Sequence, residues 1–389
     1  MGSRVLRFYD HAAQLPSAGW NRLVGADYPF LRQEFLNALE TSGCVTSATG
    51  WTPAHAVLSD SEGHALAVAP LYLKAHSYGE FVFDFAWANA SHRAGRAYYP
   101  KWLVAVPFTP STGPRFAAQD DDARDTLIAG LVRALPDSGC SSLHALFLRD
   151  EDADAGSEAG GLVRHDLQFH WHARGDADFS GFLSGLSSDK RKKIQRERRR
   201  VSEAGIRFEW RAGDALTEAE WLRTYQLYSN TYKERGQPPY LTPEFFLGYG
   251  RSPGSPFRLC MAWEDTRMVA VAITVQGGDT LYGRHWGAAE HYHSLHFETC
   301  YYQGIEYCLR EKLARFDAGA QGEHKLARGF DPVMTRSAHW LADRRLGSAV
   351  ARALAEERGR IAAYHDELLA HSAYKMAPAA AVQTDDPHG

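Results

Sequence analysis

The run RLCMAW-EDTR-MVAVAITVQ, residues 258–276, followed by TLYGRHWGA at 280–288, decides the fold. Arg258 to Trp263 reads as a strand, Glu264 to Arg267 as a polar turn, and Met268 to Gln276 as its partner. Thr280 to Ala288 supplies a third strand. β-Branched and aromatic residues dominate these segments and turn residues separate them, the pattern of an antiparallel meander. Helical segments precede it, Glu218 to Arg235 and Pro243 to Tyr249. The helix Phe297 to Leu313 and a short strand, Arg315 to Phe316, follow.

The first half repeats this order. A helix at Phe30 to Ser42 leads to a strand at Ala54 to Ser59, a turn at Asp60 to Gly63, and a partner at Ala65 to Lys74. A third strand is expected over Glu80 to Trp87, then a helix over Asp121 to Leu135 and a strand over Ser142 to Leu148. Helices, meander, helix and strand, found twice, give a mixed α/β fold built from two related units. The boundary falls near Arg174 to Asp178, so the units span 1–176 and 177–376. The Ala-, Pro- and Asp-rich tail, 377–389, reads as disordered.

A chain of 389 residues suits two such units. Its net charge of −4 argues against a protein whose whole surface binds nucleic acid, so any such contact is local. The five cysteines form no Cys-x-x-Cys pair and read as reduced residues of a cytoplasmic protein. No apolar run approaches the roughly 20 residues of a membrane span.

The densest chemistry lies in DAGAQGEHKLARGFDP, 317–332. Its glycines forbid a long helix, yet Gln321, Glu323, His324, Lys325 and Arg328 crowd into eight residues. Such a loop, held by a strand, delivers proton donors, acceptors and anion-stabilising groups together. A polar surface turn is the plainer reading. Just upstream, His291, His293, His296 and Glu298 open a helix; a metal site is one reading, but the spacing matches no ligand geometry. Glu298 at a cleft mouth, or simply favouring the helix dipole, fits as well.

Three further segments stand out. In Asp189 to Arg200, eight basic residues face two acidic ones, including Lys190, Arg191 and Lys193. A helix there is either a solvated face or a contact for a phosphate-rich ligand. The strand Leu103 to Val106 leads into Pro107–Arg115, whose small residues, Thr109 and Arg115 suggest an anion cradle stiffened by proline. Asp84, set among Phe81, Phe83 and Phe85, needs a partner, with Lys101 or Arg115 the candidates, or a function.

Tyr78-Gly79-Glu80-Phe81-Val82-Phe83-Asp84, Tyr98-Tyr99-Pro100-Lys101, Pro107 to Arg115, His296-Phe297-Glu298 and Gly319 to Phe330 together resemble the bacterial FemAB-like N-acyltransferases of peptidoglycan biosynthesis or recognition. The resemblance implies tandem GNAT folds and transfer of an acyl or aminoacyl group to an amine. In the Fem enzymes the donor is aminoacyl-tRNA and the acceptor a peptidoglycan precursor. The residues themselves suggest the catalytic roles: acyl transfer needs a base, for which His324 or Glu298 is a candidate, and an oxyanion donor, for which Lys325 or a backbone N–H of the glycine loop is a candidate, with Glu323 beside them. Substrate contacts would come from Asp84, Tyr99, Lys101, Thr109, Arg115, Arg284, His285, His296, Gln321 and Arg328, and phosphate or tRNA contacts from Lys190, Arg191 and Lys193. No tightly bound cofactor and no metal is expected; the donor is aminoacyl-tRNA or acyl-CoA. Neither half carries the Gln/Arg-x-x-Gly-x-Gly/Ala loop usual in acetyl-CoA-dependent GNAT enzymes. An acetyl-CoA-dependent enzyme acting on a small molecule, or a non-catalytic peptidoglycan- or RNA-binding homologue, are the alternatives.

Overall fold

A computed structural model describes residues 4–320 and 322–375. The expected Gln321 contact and the 377–389 tail lie outside the described residues.

The first half runs β1 (Val5–Tyr9), α1 (Ser17–Val24), α2 (Gln33–Thr41), β2 (Trp51–Pro53), β3 (His55–Ser59), β4 (Ala65–Ala69), β5 (Leu71–Lys74), α3 (Phe85–Arg93), β6 (Lys101–Val104) and β7 (Ala117–Ala118). It ends with α4 (Asp121–Ala134), β8 (Ser142–Leu148), α5 (Asp150–Glu158) and β9 (Leu162–His172). The second half runs α6 (Phe179–Gly185), α7 (Ser188–Glu203), β10 (Ile206–Ala212), α8 (Glu218–Lys233), α9 (Pro243–Phe245), β11 (Phe257–Glu264), β12 (Arg267–Gly277) and β13 (Thr280–Ala288). Then come α10 (Leu295–Phe297), a π-helical turn (Glu298–Tyr302), α11 (Gln303–Glu311), β14 (Arg315–Asp317), β15 (Asp331–Leu341) and α12 (Arg344–Ala370).

The same crossover occurs in each half. Strand β6 lies parallel to β8, with α4 between them in sequence. Strand β13 lies parallel to β14, with α10 and α11 between them. Antiparallel strands precede each parallel pair, so both halves are GNAT-like α/β units. They share one eleven-stranded sheet in the order β10-β11-β12-β13-β14-β9-β15-β8-β6-β5-β2, while β1, β3, β4 and β7 form a separate sheet. Strand β15, from the end of the chain, inserts between β9 and β8 of the first half. Along that seam the imidazoles of His144 and His339 meet Nδ1 to Nδ1 at 2.6 Å.

Two expectations for the first half are corrected. The partner strand over Ala65–Lys74 is broken at Pro70, which has no N–H to continue a ladder; β4 and β5 belong to different sheets. Residues 80–84 form no strand, because the alternation is inverted. The Glu80 and Asp84 carboxylates turn inward while Phe83 and Phe85 face out, and Phe81 adopts a left-handed φ of 64°.

The largest core cluster crosses the midpoint of the chain. Tyr282 of β13 packs edge-on against Tyr28 and Phe30, with centroids 6.0 and 5.1 Å away. At the end of β12, Gly277 lies so close to Pro29 that a Cβ would sit 2.3 Å from its Cδ. Any larger residue there would push the halves apart. Gly287 similarly lets α8 approach β13, since a Cβ would fall 2.1 Å from the Leu227 carbonyl oxygen.

Candidate active site

Strand β13 carries an irregularity that creates the site. Ile273 pairs with His285 and Thr274 with Gly283, leaving Arg284 as the extra residue of a bulge. Alternation would send Arg284 and His285 to opposite faces; the bulge lets both line one cavity, a common device beside active sites. That cavity, about 480 Å³, lies between the halves. The first half contributes Gly79, Phe81, Phe108 and Pro110; the second contributes Tyr232, Tyr240, Trp286, His296 and, just beyond β14, Gly319 and Ala320. Tyr240 stacks on Phe108, centroids 4.9 Å apart and planes 12° from parallel.

Beneath the cavity a buried polar node fixes the geometry. Asp317 accepts hydrogen bonds from Ser111 Oγ at 2.9 Å and from the Gly319 N–H at 3.0 Å, and lies 3.6 Å from His170 Nε2. Burial opposes the charge of Asp317, but His170, those two bonds and Arg284 outweigh it and hold the carboxyl below its usual range. Arg284 donates to the Phe108 carbonyl of the first half. Burial lowers its pKa, partly countered by Asp317.

The imidazoles at the cavity are neutral at physiological pH. Burial, and then Arg284, depress His285 well below the ordinary histidine value. His296 is brought down to about 4, by burial first and then by His324, Arg328 and Lys325. A neutral imidazole is a proton acceptor, the state acyl transfer to an amine requires.

The glycine-rich loop stands behind this cavity. Residues Glu323–Arg328 form a 3-10 turn in which positions three apart share a face, so Lys325 and Arg328 are buried together. Lys325 Nζ donates to the Gly319 carbonyl at 2.6 Å. Burial lowers its pKa to about 8 against the pull of Asp317. Arg328 donates from Nη2 to both Glu197 carboxylate oxygens at 2.8 and 3.1 Å and from Nη1 to the His324 carbonyl at 2.8 Å, and lies 3.5 Å over the Phe297 ring. His324 is exposed and meets the Tyr301 hydroxyl at 2.9 Å; burial, then Arg328, Lys325 and Lys193, lower its pKa. Glu323 is also exposed and accepts from Tyr364 of α12.

Glu298 does not join them. It lines a different groove, about 870 Å³, beside α7, where it accepts from Arg198 at 3.1 Å and Gln303 at 2.8 Å. Burial raises its pKa despite Arg198. The π-helical turn beginning at Glu298 aims it there, while His296 and Tyr301 pack toward His324. Among the described residues no group of three or more His, Cys, Asp or Glu gathers as a metal site. His293 meets Arg200, and His296 packs on Trp286.

In the first half, Asp84 is partnered by Lys101 rather than Arg115. Buried Lys101 Nζ donates to Ser77 at 2.8 Å, Glu80 at 2.8 Å and Asp84 at 2.5 Å. Tyr98 adds a hydrogen bond to Asp84 at 2.7 Å, and Tyr99 bonds Ser77 at 2.8 Å. Burial pushes Glu80 up to about 7 against the pull of Lys101. Glu80 and Asp84 alternate with Phe81, Phe83 and Phe85, which line the cavity, so this cluster pins the cavity wall. The Pro107–Arg115 loop is no open anion cradle. Its Ser111 and Gly113 N–H groups donate to the Thr109 and Phe147 carbonyls, Thr109 Oγ1 donates to the Pro107 carbonyl, and Arg115 is fully buried with Nη2 on the Ser111 carbonyl.

On α7, Lys190, Arg191 and Lys193 are half-buried, and the described residues give them no ion pair. Sequence reading missed the aromatic lining and the Ser111–Asp317–His170 node. The Arg284 bulge is a register property that no local motif announces.

The chain is similar in fold to several solved structures, all at very low identity. It matches FemX at 8% identity, covering 90% of this chain and 100% of that one, with a TM-score of 0.54. It matches the C-terminal domain of a proposed lysylphosphatidylglycerol synthetase from Agrobacterium fabrum at 10% identity, covering 87% and 93%, with a TM-score of 0.52. For L-PGS from Bacillus licheniformis the values are 11%, 84%, 97% and 0.50. No curated protein sequence matches it. The FemAB-like family model, described as peptidoglycan biosynthesis/recognition, matches residues 11–376. With that match over nearly its whole length, on a tandem GNAT-like, acyltransferase-type fold, the chain belongs to the FemAB-like family.

Proposed function

We propose that this protein is an N-acyltransferase acting in the cavity between its halves. The observation that carries this reading is the convergence of neutral imidazoles, His285 and His296, with the Arg284 guanidinium on one aromatic cavity. The acceptor nitrogen adds to the acyl carbonyl carbon and gives its proton to His296. Arg284 faces the oxygen that becomes negative, and a well-placed donor there contributes about 3 kcal/mol to the transition state. The carbon's bond to an ester oxygen or a thioester sulfur then breaks, and the departing atom takes the proton. Lys325, through Gly319, acts as a positioning residue.

Family membership favours a peptidoglycan-type precursor as acceptor and aminoacyl-tRNA as donor. Lys190, Arg191 and Lys193 then meet donor phosphates. An acyl-CoA donor is the second reading, although the closed Pro107–Arg115 loop offers it no cradle. The test is transfer of label from charged tRNA, or from acyl-CoA, to amine acceptors by the purified protein. Label moving from neither donor to any amine rejects the enzyme reading and leaves a binding homologue.

A further inference from the structure

The cavity wall combines polar and apolar groups. Arg284, His285 and His296 line it together with Tyr78, Phe83 and Phe85. Those three aromatics are 58%, 53% and 38% exposed, and Phe83 stacks on Phe85 with centroids 5.8 Å apart and planes 19° from parallel. Aromatics left in water in a cluster mark a binding surface rather than a core. The Phe108–Tyr240 stack also lines a second cavity, about 530 Å³, walled by Trp51, Ala48, Pro238 and Pro239. Tyr78, Phe108, Gln237 and Tyr240 line both, so the two cavities are neighbours with a shared wall.

We infer that one substrate of the transfer carries an extended hydrocarbon chain, whose reacting end lies at Arg284 and His296 and whose tail runs past Tyr240 into the Trp51 cavity. This rests on the cavity being the transfer site. A saccharide tail fits less well, because its many hydroxyls would exchange water for a wall of Trp51, Phe108, Pro238, Pro239 and Ala48. The polar groups of that wall are those of Thr49, His76 and Gln237, the Tyr78 and Tyr240 hydroxyls and the Trp51 N–H. The chain belongs either to the amine acceptor or to the acyl donor; the hydrocarbon is common to both.

Calorimetric titration of the full chain separates the two sources. One arm uses n-alkylamines from butyl to dodecyl, the other acyl-CoAs of matching lengths. Affinity is expected to rise about fourfold per added methylene in the arm whose substrate owns the tail. Affinity independent of chain length in both arms overturns the inference. A second variant locates the tail. Ala48 is exposed and lines the outer cavity, so A48W narrows that cavity without disturbing the core. It is expected to stop the rise at the longer chains and leave the shortest unchanged; an unaltered series in A48W overturns the placement. Because the readout is binding, a flat series leaves the transfer reading standing, and absent transfer beside a steep series removes only that reading.

Discussion

Ser111 Oγ donates a 2.9 Å hydrogen bond to Asp317, joining residues 206 positions apart and tying a loop of the first unit to the strand end that carries the site of the second. Both residues are buried. Removing the hydroxyl in S111A is expected to cost about 2 kcal/mol, as for a bond to a buried charge. Chemical denaturation measures it, and a change below a few tenths would show that the node does not hold the halves.

The same carboxylate sets an acid limit. Its pKa is lower in the folded state than in the unfolded chain, so it contributes stability above the unfolded aspartate value near 3.9. That contribution is lost as pH falls through the depressed folded value. D317N is expected to be less stable at neutral pH and to lose less on acidification below pH 4. Parallel curves for the two proteins would contradict this.

Lys101 is the sole cation hydrogen-bonded to Glu80 and Asp84 among the described residues. K101M leaves buried carboxylates uncompensated and is expected to cost about 3–5 kcal/mol. Since the cluster pins Phe81, Phe83 and Phe85, ligand binding in the cavity is expected to weaken even where the fold persists at low temperature. Wild-type affinity in a folded K101M protein would uncouple cluster from wall.

Lys325 is depressed to about 8 in the folded state, against 10.5 unperturbed. The unfolded chain therefore binds the extra proton between those values, and stability rises with pH across that window. K325M is expected to reduce the rise, leaving the part that Lys74, depressed to about 7, contributes over the same window, and to slow transfer by releasing Gly319, with the fold retained. A K325M protein that turns over at the wild-type rate would remove the positioning role.

If Lys190, Arg191 and Lys193 meet a phosphate chain, donor affinity falls steeply with salt, and each substitution to Ala reduces the logarithmic slope by about 0.7–0.9. A slope unchanged in the triple variant assigns those residues to solvation alone.

Much of the second unit was legible in the sequence because its cues are local. Strands β11, β12 and β13 follow from their β-branched and aromatic runs, and α8 matches the helical segment Glu218 to Arg235. The first unit misled where chemistry reversed the usual pattern. Phe81, Phe83 and Phe85 imitate a strand's buried face, yet Lys101 draws the intervening carboxylates inward. The site was half legible. Arg284, His285 and His296 share the cavity, but Glu298 is turned away by a π-helical turn, and Lys325 reaches it only through a carbonyl. Strand β15 between β9 and β8 depends on pairing across some 170 residues, such as Asp331 with His170 and His339 with Leu162. Neither the sheet seam nor the Arg284 bulge leaves a local trace.

Single-turnover transfer by wild type and H296A, with the productive donor held constant, tests the assignment of the proton acceptor. A base held near pKa 4 puts the imidazole's acid limb in wild type near pH 4, not 6.5, separate from the limb that ionisation of the acceptor amine adds at higher pH. H296A is expected to lose 10²- to 10⁴-fold in rate with donor binding intact. Transfer by H296A at the wild-type rate, with the same pH profile, would show that His296 is not the acceptor of the amine's proton.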